Sequence, residues 1–153
     1  MIIPLWQKLI GVLIYLIPLS DAIPFGRYLF MDFPFLQWIQ LPALPIIIIK
    51  QSLPFGGFLL FFLLFLIIVR NPKMPYFLRF NTLQALLIDI GIILINYTFQ
   101  IILQPLGTKL IISTLSSTFL MTILAIVIFA VGECLQGKEP DLPLISEAVR
   151  MQL

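Results

Sequence analysis

Phe58-Leu-Leu-Phe-Phe-Leu-Leu-Phe-Leu-Ile-Ile-Val69 is a run of twelve residues without one polar side chain. It lies inside a longer uncharged stretch, Gln51 to Val69, nineteen residues bounded by Lys50 and Arg70. A helix of that length covers about 28 Å, close to the ~30 Å hydrocarbon core of a bilayer. Pro54 sits near its start, where a missing N–H costs least, and Arg70 can snorkel from the other end. The stretch predicts a membrane-spanning helix over 53–69.

The rest of the chain agrees with that reading. Of 153 residues, 61% are apolar and 10% charged, with a mean hydropathy of +1.12. Ordinary globular domains run at about 45–50% apolar and about 25% charged. Nine basic and seven acidic side chains are too few to cover the surface of a water-soluble domain of this size, so the apolar excess faces lipid. There is no histidine, which removes the commonest general base and the His-ligated metal and haem sites. A single cysteine, Cys134, excludes an intrachain disulfide or a thiolate cluster. The net charge of +2 is small and its basic residues are scattered, which argues against nucleic acid as a partner. The apolar stretch begins at Ile2 with no basic n-region, so the expectation is a protein made in the compartment where it works.

Charge gaps locate the other spans. Between Arg79 and Lys109 lie twenty-nine residues with one charge, Asp89, and between Lys109 and Glu133 lie twenty-three with none. Pro105 and Gly107 punctuate the turn between them, and Gly137 offers a helix stop. The expected fold is an all-α integral membrane protein in one domain, 1–153, with four transmembrane helices over about 2–19, 53–69, 77–103 and 110–135. Pro18 would close the first. The segment 21–51, broken by Pro24, Pro34, Pro42 and Pro45, reads as an interfacial linker. In the tail, 138–153, Leu144, Ile145, Ala148 and Val149 fall at helical spacing and predict a short amphipathic helix. With four spans the termini share a side with Lys8, Arg70, Lys73, Arg79, Lys138 and Arg150, against Arg27, Lys50 and Lys109 opposite. The positive-inside bias then puts both termini in the compartment of synthesis, the stromal or cytoplasmic side.

Asp89 is the costliest residue, since a carboxylate at mid-helix opposes insertion by about 2.5–3.5 kcal/mol. Thr82, Asp89 and Asn96 repeat at seven and form one polar helix face. Two readings stand: a lining for a transient aqueous path or a partner's polar group, or polar glue between helices. Thr114, Thr118 and Thr122 form a stripe on the next helix that suits close packing against that face. Arg79 and Glu133, at matching ends of antiparallel neighbours, are expected to form a helix-end salt bridge. No nucleophile elbow, phosphate-binding glycine loop or metal-ligand spacing occurs, so neither catalysis nor a cofactor is expected.

Three stretches then carry a resemblance: Ile17-Pro-Leu-Ser-Asp-Ala-Ile-Pro-Phe-Gly-Arg-Tyr-Leu-Phe30, Arg79-Phe-Asn-Thr-Leu-Gln-Ala-Leu-Leu-Ile-Asp-Ile90 and Pro143-Leu-Ile-Ser-Glu-Ala-Val-Arg-Met-Gln-Leu153. Over nearly its whole length the chain resembles the Tic-twenty family, the twenty-kilodalton subunit of the translocon at the inner envelope membrane of chloroplasts. The resemblance implies a four-helix membrane protein with stromal termini that takes part in preprotein import. The matching positions are Asp21, Gly26, Arg27, Arg79, Asn81, Gln84, Asp89, Glu133, Ser146 and Gln152. Plant members carry a long N-terminal extension, so the likeness points to a plastid-encoded or cyanobacterial form, in the plastid inner envelope or a cyanobacterial plasma or thylakoid membrane. The implied partners are other translocon subunits, transient polypeptide substrates and the lipid bilayer. The alternative class is a structural or assembly subunit of a larger, photosynthetic membrane complex. An ion carrier is disfavoured by a single intramembrane charge and the lack of an inverted repeat.

Overall fold

The computed structural model describes residues 2–153, and its regular structure among them is entirely helical. Helix α1 runs Leu5–Ala22, passes through a 3-10 turn, Ile23–Gly26, and continues as α2, Arg27–Asp32. A 3-10 segment, Pro34–Ala43, leads into α3, Leu44–Ser52. Helix α4, Gly56–Leu64, extends as a π-helical turn to Val69. Helix α5, Tyr76–Thr98, continues through a π-helical turn, Phe99–Leu103, into the single turn α6, Gln104–Leu106. Helix α7 is Lys109–Leu135 and α8 is Ile145–Gln152.

Three of these paths are long and apolar enough to cross a bilayer: Leu5–Asp32, Tyr76–Leu106 and Lys109–Leu135. The last two and the tail helix follow the expected ranges closely. Thr108 caps α7 by accepting the Ile111 N–H, and Gly137, at φ +76°, ends it as anticipated. The first span runs further than 2–19. Pro18 lies inside α1 rather than at its end, held between neighbouring helices that offset the hydrogen bond it removes. Pro24 enters the following 3-10 turn at its first positions, where no N–H is needed.

The second span differs most from expectation. The linker 21–51 is helical for most of its length, and Pro34–Ser52 meets Gly56–Val69 at 107°. Leu53 precedes Pro54 and is driven into the extended region, and Phe55 then turns through the left-handed region at φ 54°. The fourteen residues Gly56–Val69 reach only about 21 Å, short of a full crossing, and the sharply bent pair has the form of a broken span or of a re-entrant loop. Gly56 permits the break, because any Cβ there would strike the Lys50 carbonyl.

Helix α1 is the centre of the bundle. It packs against α5 on one side, running parallel to it, and against α7 on the other, antiparallel. Helices α5 and α7 therefore make almost no direct contact, apart from a cluster of Phe25, Phe99 and Phe119 at the end away from the termini. The expected pairing of the Thr82–Asp89 face with the Thr114–Thr118–Thr122 stripe is absent, because α1 occupies the space. Those threonines are exposed, with Thr118 and Thr122 back-bonding to the carbonyls four residues earlier. Tyr15, Phe80, Leu78, Leu86, Ile92 and Leu120 fill the interior completely. The close approach of α1 to α7 rests on Gly11, whose Cβ position is taken by Cys134 Sγ. Gly11→Val is expected to lower stability in detergent by about 2 kcal/mol through overpacking. Gly91→Ala, where nothing lies within 4 Å, should instead raise it by about 0.5–1 kcal/mol, both read from thermal unfolding of the purified protein.

Candidate functional site

Two buried polar clusters lie along the seam between α1 and α5. The first is at the middle of the 31-residue Tyr76–Leu106 path. Lys50, in the last turn of α3, donates to Asp21 Oδ2 at 2.8 Å and to Ser20 Oγ at 3.0 Å. Ser20 can accept because its own proton goes to the Ile17 carbonyl at 2.6 Å. Asp89, on α5, lines the same cleft as Asp21. Asp89 is 3% exposed, and its Oδ1 has no partner among the described residues. The Lys50 ammonium offsets the Asp21 carboxylate directly, as a charge in apolar surroundings requires.

Asp21 and Asp89 form the polar wall of a cleft of about 440 Å³ between α4 and α5, whose other walls are Gly57, Phe58, Phe61, Ile90, Ile93 and Tyr97. It opens sideways, between helices whose outer faces are apolar and exposed. Carboxyl groups in such a wall can accept hydrogen bonds from an N–H or a cationic side chain, and the aromatic rings can shelter a carbon chain beside them.

The second cluster lies nearer the termini. Tyr15 Oη donates to Asn81 Oδ1 at 2.9 Å and accepts from Gln84 Nε2 at 3.0 Å. Gln84 Nε2 also donates to the Pro140 carbonyl at 3.1 Å, and Asn81 Nδ2 donates to the Phe77 carbonyl at 2.8 Å. Ser146 Oγ lies 2.5 Å from Gln84 Oε1 and 3.0 Å from the Pro140 carbonyl, and accepts the Leu142 N–H at 2.7 Å. This network fastens α8 across α5, with Val149 fully buried and the Arg150 guanidinium 5.3 Å from the Phe80 ring centre. Arg150 also pairs with Asp141 at 3.4 Å.

The residues singled out from sequence are thus distributed over distinct environments. Asp21 and Asp89 join the mid-depth trio, while Asn81, Gln84 and Ser146 build the tail-fastening network. Gly26 lets the chain approach Leu120, whose Cδ2 would lie 2.6 Å from a Cβ there. The Thr82–Asp89–Asn96 face does not act as one surface: Thr82 is fully buried with Oγ1 unpartnered among the described residues, and Asn96 faces another cavity beside Arg27. The expected Arg79–Glu133 bridge does not form. Helix α1 stands between their helices, and Arg79 Nε instead donates to the Val69 carbonyl at 3.0 Å, closing the end of α4. Gln152 sits near Arg70 and Arg79 in a small recess. Sequence reasoning missed Tyr15 and Lys50. A phenol in the middle of an apolar helix was a usable signal for the first, and Lys50 was read as a span boundary and as one of the basic residues opposite the termini.

Removing Lys50 leaves two carboxyls without a cation, so Lys50→Met is expected to cost about 3–5 kcal/mol. Lys50→Met with Asp21→Leu should recover part of that loss, as read from folded yield and unfolding midpoint. Ser146→Ala leaves the Leu142 N–H and Gln84 Oε1 unpaired, and should cost about 1–3 kcal/mol and speed amide exchange over 145–152 before elsewhere.

The chain matches the model of the family described as "Chloroplast import apparatus Tic20-like" over residues 4–149. A "Tic20 family protein" of Synechocystis sp. is 36% identical over 148 residues, covering 96% of this chain and 92% of that protein. "Protein TIC 20-v, chloroplastic" of Arabidopsis thaliana is 32% identical, covering 96% of this chain and 71% of that one. "Tic20 family protein Ycf60" of Cyanidium caldarium is 32% identical, covering 95% and 72%. On these likenesses along nearly the whole chain, this multi-pass membrane protein is a member of the Tic20 family.

Proposed function

We propose that the chain is a membrane subunit of a protein-import translocon, in a plastid inner envelope or the corresponding cyanobacterial membrane, and that passing polypeptide contacts the cleft between α4 and α5. The observation that carries this reading is a sideways-opening, aromatic-walled cleft at mid-depth with two acidic side chains, Asp21 and Asp89, in its wall. The bundle's interior is filled by side chains, so a conduit has to form along the outer face of this chain, together with other subunits. In that arrangement Asp89 is an acceptor for backbone N–H groups or basic side chains, and Phe58, Phe61 and Tyr97 supply sequence-tolerant apolar contact. The chain supplies a surface and no driving force. The termini, α8 and the α4–α5 loop lie at one end of the bundle with six of the nine basic residues, which favours that end as the stromal or cytoplasmic one.

The second reading, a structural subunit of a larger membrane complex, draws on the exposed Thr114–Thr118–Thr122 stripe of α7, a surface suited to close helix contact. The two faces lie on different helices and can be tested separately. A photoreactive residue at Ile93, beside the cleft, should crosslink an arrested precursor, while one at the outward-facing Ile128 should not. Asp89→Leu should lower precursor passage about tenfold while insertion and assembly persist. Equal crosslinking at both positions, or wild-type passage by Asp89→Leu, would remove the cleft from the pathway.

A further inference from the structure

The end of the bundle away from the termini holds a separate cavity of about 330 Å³, between the Pro24–Tyr28 stretch, the Asn96–Gln104 end of the α5 path and the first turns of α7. Its polar lining is largely unused. Arg27 makes no ion pair among the described residues, and no acidic side chain lines the cavity. Ser116 lines it while only 6% exposed. Asn96 Oδ1 accepts weakly from Gln100 at 3.4 Å, which leaves the Asn96 NH2 and the Gln104 amide available.

Position narrows what can fill it. Gln104 adjoins the turn at Gly107, and Ser116 lies seven residues into α7 from Lys109, about 10 Å deeper. The cavity therefore runs from head-group level into the hydrocarbon layer. Phe25 and Phe99, in edge contact at 5.3 Å, contribute apolar wall, and the strongly exposed Ile101 and Leu106 belong to the same end of the α5 path. A guanidinium recognises an oxyanion through paired N–H bonds, and amides with a hydroxyl suit neighbouring hydroxyl groups.

We propose that this cavity binds the head group of an anionic membrane lipid, its oxyanion on Arg27 and its hydroxyls on Asn96, Gln104 and Ser116, with the acyl chains lying along the adjoining apolar helix surface. The site is distinct from the α4–α5 cleft and does not depend on the import reading.

The test is native mass spectrometry of the full-length protein in detergent, offered equimolar phosphatidylglycerol and phosphatidylcholine. The wild type should retain one phosphatidylglycerol with about tenfold preference. Arg27→Gln should abolish the preference and Arg27→Lys reduce it. Ser116→Ala, a mild change that keeps the cation, should lower it about threefold. Lys109→Gln, at the same end but outside the cavity, should leave it intact. No preference in the wild type overturns the proposal, as does an equal loss in Lys109→Gln, which would mean diffuse surface charge. Displacement of the lipid by millimolar glycerol 3-phosphate would overturn it in favour of a soluble anion. Unchanged lipid retention in Arg27→Gln, accompanied by loss of a co-purifying protein, would overturn it in favour of a subunit contact.

Discussion

An ammonium and two carboxyls held together at mid-depth in an apolar bundle set the terms for much of this structure. Lys50, Asp21 and Asp89 come from three separate helices, and each would be expensive alone in a hydrocarbon environment. Bringing Lys50 to Asp21 at 2.8 Å requires α3 to turn inward and α4 to leave at a steep angle. The bend at Leu53-Pro54-Phe55 and the bare Gly56 against the Lys50 carbonyl are the local means of doing so. The bend between Pro34–Ser52 and Gly56–Val69 is thus tied to charge pairing. It also leaves the Asp89 carboxyl facing a cleft instead of a packed interface.

The same rule, that buried polar groups must find partners, organises the end nearer the termini. Tyr15 on α1 reaches Asn81 and Gln84 on α5, and Gln84 passes the connection to Ser146 and the Pro140 carbonyl. A surface helix of eight residues would be marginal by itself, so this shared network, with Val149 buried beneath it, gives α8 a defined seat. The polar clusters also hold α1 in register on α5, a task that apolar contacts alone perform loosely among lipid tails.

Among the described residues the interior of the bundle is filled by side chains. Its recesses and exposed small-residue surface lie on its sides: the Asp89 cleft between α4 and α5, the threonine stripe on α7 and the Arg27 cavity at the far end. These surfaces are separated by α1, the helix that contacts nearly everything and is itself the most enclosed. Such an arrangement suits a member of an assembly in which neighbouring chains complete each surface.

Hydropathy and charge spacing were enough to locate Tyr76–Leu106, Lys109–Leu135, the Gly137 stop and the amphipathic tail, because long apolar runs between charges have few other uses. Motif likeness also singled out Asp21, Asn81, Gln84 and Ser146 before any contact among them was visible. Tertiary structure alone decided that α1 would pass Pro18, lie between α5 and α7, and so cancel both the α5–α7 pairing and the Arg79–Glu133 bridge. It alone turned Lys50 from a boundary marker into the partner of Asp21. Hydropathy is a sum along one dimension, and it scores a proline as a break and a charge as an edge. Whether a break is tolerated, or a charge is drawn inward, depends on which groups the other helices place beside it.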